Sequence, residues 1–423
     1  MGARLKFNGA SGSELYSSYE TEEYIFQDTV PAENCLECHA DLMAEAETHN
    51  PAKKKCLRCH VANGEKHPLE NVVGFNLEKT LPNLCYECHD PKNDNTFVHE
   101  PTKEGKCTLC HSPHSSPNLY LVKKNPVSKL CYECHDLKIP DGNMIHKAVA
   151  DGDCTGCHNP HQADNKRLFA SGQARLCRSC HREIGNDLKK EHVHEPFKND
   201  CLSCHNGHSS ANSHLLSNEP PNLCLSCHEE MHKSIQTASL VHGAIEQEKT
   251  CLNCHSPHSS DNEKILLKTD KVLCLDCHSK SISSSKGVIE NIGKMMKKGN
   301  TIHGAIEKEG CIFCHNSHTS EQQRLLNFTF PATSYAPADK ENFALCFQCH
   351  EEQLFKDEKT TMATNFRNGD KNLHFVHINE KKGRNCNLCH NSHGSANKHL
   401  IDEKVKFGNW KMPLNYAIEI NGG

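Results

Sequence analysis

The sequence predicts a mostly irregular chain with short α-helices and little β structure, too poor in apolar side chains to build an aliphatic core. Three observations lead there. Apolar residues are 36% of the 423 residues, and 28 of them are cysteines. Every one of those cysteines falls in a Cys-x-x-Cys-His element, of which there are fourteen. The elements recur in a unit of about 50 residues, and a repeat of that length has to be recognised before any other feature is read. A chain of this length ordinarily divides into two or more domains, each around its own hydrophobic centre. Once the cysteines are set aside, too little remains for that.

The cysteine pairs are Cys35 and Cys38, Cys56 and Cys59, Cys85 and Cys88, Cys107 and Cys110, Cys131 and Cys134, Cys154 and Cys157, and Cys177 and Cys180. They continue as Cys201 and Cys204, Cys224 and Cys227, Cys251 and Cys254, Cys274 and Cys277, Cys311 and Cys314, Cys346 and Cys349, and Cys386 and Cys389. The histidines that follow are His39, His60, His89, His111, His135, His158, His181, His205, His228, His255, His278, His315, His350 and His390. Two thiols two residues apart on one turn can add to the two vinyl groups of a haem, and the adjacent imidazole then binds the iron. Zinc ribbons, redox dithiols and disulfide frameworks also use Cys-x-x-Cys. None of them requires a histidine directly after the second cysteine, and here it follows every time. The expectation is fourteen covalent haem c groups that supply the missing interior, with folding coupled to cofactor attachment.

The repeat is plainest in CTLCHSPHSSPNLYLVKKNPVSKLCYECHD and CLNCHSPHSSDNEKILLKTDKVLCLDCHSK. Each unit has a leading histidine, a first motif continued as Cys-x-x-Cys-His-x-x-His, and a second motif preceded by leucine. First motifs begin at Cys56, Cys107, Cys154, Cys201, Cys251, Cys311 and Cys386; Cys35 opens a motif with no unit before it, and Cys386 has no second motif after it. Between Cys311 and Cys346 an insert, LNFTFPATSYAPADKENF, reads as a surface loop.

Fourteen further histidines fit the repeat as second ligands to iron. The leading ones are His49, His99, His146, His194, His242, His303 and His377. Those three residues beyond a motif histidine are His114, His161, His208, His258, His318 and His393; in the first unit that place is Asn63, and His67 is the nearest substitute. A histidine at that offset cannot reach the opposite face of its own haem, so it is expected to serve a neighbouring one and tie units together. Of the spare histidines, His192 and His374 stand close enough in sequence to displace a member of this set.

On these motifs the chain resembles the doubled-CXXCH multihaem c-type cytochromes, a family similar to cytochrome c3 and to the decahaem cytochromes seated in outer-membrane porins. The resemblance spans roughly residues 35 to 400. It implies an elongated multihaem cytochrome c wrapped round a continuous haem chain, bis-histidine low-spin irons, and electron transport across or beyond a cell envelope. Histidine on both faces leaves iron no exchangeable position, which points to an electron carrier and not an enzyme. Imidazole pairs also avoid the potential-raising effect of an axial methionine. The enzymatic alternative, a reductase with one open haem, would place that haem where His67 is in question.

Outside the repeat the sequence predicts two haem-free tails, residues 1–34 and 401–423. Haem attachment to this motif takes place outside the cytoplasm, in the periplasm, at the outer membrane or beyond, although residues 1–34 hold no apolar run of the kind a signal peptide needs. No stretch reaches transmembrane length. The net charge of −5 and the lack of a basic block argue against nucleic acid. Ionised propionates make the loaded chain more acidic, so its redox partners are expected to be basic or cation-bridged. Two partner settings fit: an outer-membrane porin or periplasm-bridging conduit, and a filament (nanowire) of identical subunits. The second tail holds Trp410 and an alternating stretch, which predicts a strand that adds to a partner's edge or folds back on its own chain.

Overall fold

The computed structural model describes residues 35–419 except 66, 68–72, 138, 141, 285–286 and 408, so the first predicted tail lies outside the described residues. Regular structure is sparse. The longest helices, Glu229–Thr237 and Asp270–His278, have nine residues each. The sheets are ten separate two-stranded pieces. The motifs themselves explain the short helices. In twelve of the fourteen, the histidine N–H donates to the carbonyl of the first cysteine, as His111 does to Cys107 at 3.0 Å and His350 to Cys346 at 3.0 Å. One such turn carries the whole motif and sets both thiols and the imidazole on one side of it. First motifs are single 3₁₀ turns such as Cys107–Leu109 and Cys311–Phe313, whereas several second motifs end a short α-helix such as Gln173–Cys180.

The chain forms two compact units. One runs to Arg182 and takes in Asn199–Ser217; the other comprises Glu183–Lys198 and the chain from Asn218 onward. Within each, the same two-residue antiparallel ladder recurs. The two residues before a leading histidine pair with the two after the Cys-x-x-Cys-His-x-x-His of the following repeat: Glu47–Thr48 with Ser115–Ser116, Phe97–Val98 with Gln162–Ala163, and Met144–Ile145 with Ser209–Ser210. In the second unit the pairs are His192–Val193 with Ser259–Ser260, Leu240–Val241 with Thr319–Ser320, and Thr301–Ile302 with Gly394–Ser395. Each ladder ends in a further bond from the leading histidine's N–H to the carbonyl of the histidine three beyond the motif, for example His49 to His114 at 2.7 Å and His242 to His318 at 2.8 Å. Six ladders of this kind clasp each repeat to the next.

The aliphatic interior is as small as the composition requires. Buried apolar residues are Ala163, Ala174, Ile306, Leu326, Phe330, Phe343, Phe355 and Val405. Their one cluster, Leu326, Phe330 and Phe343, corrects the reading of the insert as a surface loop. Phe343 is 1% exposed, and its ring meets that of Phe330 edge-on. The buried Asn385 pins this segment by donating to the carbonyls of Pro331 and Thr333. The alternating C-terminal stretch folds back as a hairpin of Lys404–Phe407 and Trp410–Pro413. Before it, Ile401 bridges to His390, and the N–H of Asp402 donates to the carbonyl of Cys389 at 2.8 Å. No helix among the described residues is long and apolar enough to cross a membrane.

Candidate haem-binding sites

Among the described residues none of the 28 cysteines is in a disulfide. The thiols nevertheless meet in a fixed order. The first cysteine of one motif lies against the first cysteine of the next in Cys35 with Cys56, Cys85 with Cys107, Cys131 with Cys154, and Cys177 with Cys201. In the second unit the same contact joins Cys224 with Cys251, Cys274 with Cys311, and Cys346 with Cys386. The intervening steps use second cysteines: Cys59 neighbours Cys88, Cys110 neighbours Cys134, and Cys157 neighbours Cys180; Cys254 neighbours Cys277, and Cys314 neighbours Cys349. Within each unit the motifs therefore stand in sequence order, touching alternately through one thiol and then the other. Burial, followed by the adjoining Cys56 thiol, pushes Cys35 up to about 11, a proton affinity that disappears once sulfur is a thioether.

The imidazoles of six first motifs are aimed by a feature that the sequence reading missed. Nδ1 of His111 is 2.8 Å from the carbonyl of Tyr120, nine residues on. The same bond joins His158 to Arg167, His205 to His214, His255 to Lys264, His315 to Arg324, and His390 to His399. All six carbonyl residues, and the residue after each, have left-handed backbone with φ between 51° and 60°. That conformation costs an L-residue roughly 1–2 kcal/mol. It is held by the turn around it: Ser260 and Asn262 both donate to the carbonyl of Leu266, and Ser116 and Asn118 to that of Val122. The signal was present as Ser-x-Asn five and seven residues after the motif histidine, with Ala163 and Gln322 as the variants. A bond at Nδ1 leaves Nε2 as the free lone pair and raises its basicity, the usual support for a histidine that binds metal. Burial also lowers the proton affinity of His60, His315 and His390, favouring the neutral ligand form.

Thirteen of the fourteen motif histidines face a second imidazole within their own unit. In the first unit the pairs are His39 with His67, His49 with His89, His60 with His114, His99 with His135, His111 with His161, His146 with His181, and His158 with His208. In the second they are His194 with His228, His242 with His278, His255 with His318, His303 with His350, His315 with His393, and His374 with His390. Ring centres are 5.8 to 6.3 Å apart. Two imidazoles bound to opposite sides of one metal by bonds of about 2 Å, with about 1.1 Å more from nitrogen to ring centre on each side, would stand about 6 Å apart. The donor set fits an iron between each pair.

His49, His99, His146, His194, His242 and His303 thus face the second motif of their own repeat, and His114, His161, His208, His318 and His393 face the first motif of the repeat before. The leading rings are oriented from behind: Nδ1 of His49, His99 and His194 bonds the carbonyls of Pro113, Pro160 and Pro257. The side chain of His67, which faces His39, lies closely against Gly74, where a Cβ would fall 2.7 Å from that of His67. His258 stacks on Phe197 at 4.5 Å, with Asp187 3.9 Å from its Nδ1.

In one pair the facing ring is not the one the repeat places there. His374, not His377, faces His390. The reason is local: Asn372 accepts from the N–H groups of His374 and Phe375 and starts the helix Leu373–Ile378, which turns Nδ1 of His377 back to the carbonyl of Leu373 at 2.7 Å. His192 lies in the ladder opposite Ser260, and Nε2 of His232 bonds Gln236.

In the first unit all eight motifs line a single cavity of about 3250 Å³. Small-molecule sites typically span roughly 300–1,000 Å³, so this space suits several large ligands side by side.

A family model described as "Doubled CXXCH motif" matches the chain six times, at residues 49–94, 99–139, 146–186, 194–233, 242–282 and 303–355. No curated protein sequence matches it.

Proposed function

The chain belongs to the doubled-CXXCH family of multihaem c-type cytochromes, and from that premise we propose that it conducts electrons along fourteen bis-histidine haems as a conduit in the cell envelope or beyond it. Membership carries covalent haem c and an electron-transfer role. The finer reading rests above all on the imidazole pairs: thirteen motif histidines each face a second imidazole at one narrow range of separation. An iron held from both sides is closed to substrate and changes oxidation state with little rearrangement of its ligands. The alternating thiol contacts support a row in sequence order, because each thiol marks an edge of its haem and consecutive edges adjoin.

His67 completes the first iron in this reading, which removes the position where a reductase would be open. His258 holds the same place in the repeat as the other histidines three residues past a motif and is proposed as a ligand with them. Attachment of haem c points to maturation outside the cytoplasm. The clasp that binds each repeat to the next favours a rigid spacing of cofactors, as a conduit between separated partners needs.

Electron paramagnetic resonance of the oxidised, haem-loaded protein tests the ligation. Low-spin signals accounting for all irons support it, and a spectrum dominated by high-spin ferric haem overturns it. Electron microscopy of the loaded protein, alone and with outer-membrane extract, tests the setting: particles seated in a barrel support the conduit, and ordered filaments replace it with a polymeric wire.

A further inference from the structure

The ring that faces the motif at Cys386 is held differently from the other leading imidazoles. In four of the six clasped repeats the Nδ1–H of the leading histidine donates to a carbonyl of the next repeat: Pro113 for His49, Pro160 for His99, Pro257 for His194 and Ser317 for His242. His374 has no such strand to lean on. Its backbone is taken up by the cap of Asn372, and its ring meets Phe366 edge-on at 5.1 Å. Nδ1 of His374 is sealed from solvent and has no hydrogen-bond partner. Because protein covers that nitrogen, Nε2 is left to face the ring of His390, 6.3 Å away between centres.

An imidazole that donates its second N–H pushes more electron density onto its metal and so favours the ferric state; one that donates nothing favours the ferrous state by comparison. Enclosure acts in the same direction, since a low-dielectric setting disfavours the more highly charged ferric iron. Phe366 lies against this ligand, and Asn385, directly before the motif, is 2% exposed.

We propose that the iron held by His374 and His390 has the highest reduction potential in the second unit, so that electrons in that unit collect at its Cys386 end. The inference rests on the ligand reading above and concerns only the order in which irons reduce. His374 acts in it as the iron ligand whose Nδ1 is buried without an acceptor, while its partner His390 keeps its bond to His399; His194, bonded to Pro257, is the counterpart at the Cys224 end of the same unit.

The experiment tags single haems by colour. Removing one thioether leaves a vinyl group unsaturated and moves the reduced α-band of that haem to longer wavelength, while both axial ligands stay in place. Cys386→Ala tags the iron in question, and Cys224→Ala tags the iron of His194 and His228. In a reductive titration of the whole loaded protein, the red-shifted band of Cys386→Ala should grow in ahead of the bulk absorbance. That of Cys224→Ala should follow the bulk. If the Cys386→Ala band develops together with or later than the Cys224→Ala band, the proposal is wrong. Should Cys386→Ala fail to load, Cys389→Ala tags the same haem through its other edge. A haem count and spin state taken on the same samples keep the two ideas apart: a tagged iron already high-spin refutes the ligand reading, whereas a low-spin iron reducing late refutes only the potential order.

Discussion

Replacing His374 by alanine should open one iron of the fourteen, and replacing His377 should open none. The repeat places the leading histidine of the last unit at 377, whereas the folded chain sets the ring of His374 6.3 Å from that of His390 and bonds His377 to Leu373. Ligand removal cannot be repaired by rotating a neighbour, because the His377 ring sits three residues further along a helix capped by Asn372. The expected size follows from the count of motifs: one fourteenth of the ferric iron becomes high-spin, and the reduced protein binds one equivalent of carbon monoxide. The His377→Ala protein should bind none and keep the spectrum of the parent. Spin quantitation of the oxidised samples and gas titration of the reduced ones provide two independent counts. Carbon monoxide uptake by His377→Ala but not by His374→Ala would restore the ligand expected from the repeat and refute the geometric argument.

Three further outcomes are expected. His67→Ala should likewise open one iron, that of His39, and Gly74→Val should mimic it by displacing the His67 side chain, since even a Cβ there falls 2.7 Å from it; a low-spin spectrum for both variants would show that another group caps this haem. Lys264→Gly relieves a left-handed residue with φ of 55° on an exposed side chain. The strain removed, roughly 1–2 kcal/mol, exceeds the roughly 0.5–1 kcal/mol of added chain entropy, so the urea midpoint of the loaded protein should rise slightly, and a clear fall would refute the strain assignment. Asp402 has its proton affinity raised above the ordinary 3.8, chiefly by burial and against the opposing hydrogen bond from Asn391. A raised carboxyl binds its proton more tightly in the folded state, so it weakens the fold as pH climbs from 3.8 through the higher folded value. Asp402→Asn should flatten that fall, which unfolding midpoints measured across weakly acidic pH will detect.

Much of the site was legible because its chemistry is local. A thiol pair and an imidazole on one turn need nothing from the rest of the fold, so the motifs identify their cofactor wherever they occur. The scarcity of aliphatic side chains likewise predicted an irregular chain with short helices and little β structure, and that is the architecture observed. The insert was misread because aromatic, proline and alanine residues give no periodicity; only packing makes Phe330 and Phe343 a core.

By itself, then, the sequence determined the class of cofactor, which rests on chemistry within a five-residue motif, and the doubled repeat in which that motif recurs. Only the tertiary structure decided which second imidazole faces which motif, since that depends on contacts between residues far apart in the chain, such as Ser115 with Thr48 or Gly394 with Ile302. The exchange of His377 for His374 shows the difference most clearly. Both side chains are imidazoles, and a single helix cap decides which of them faces His390.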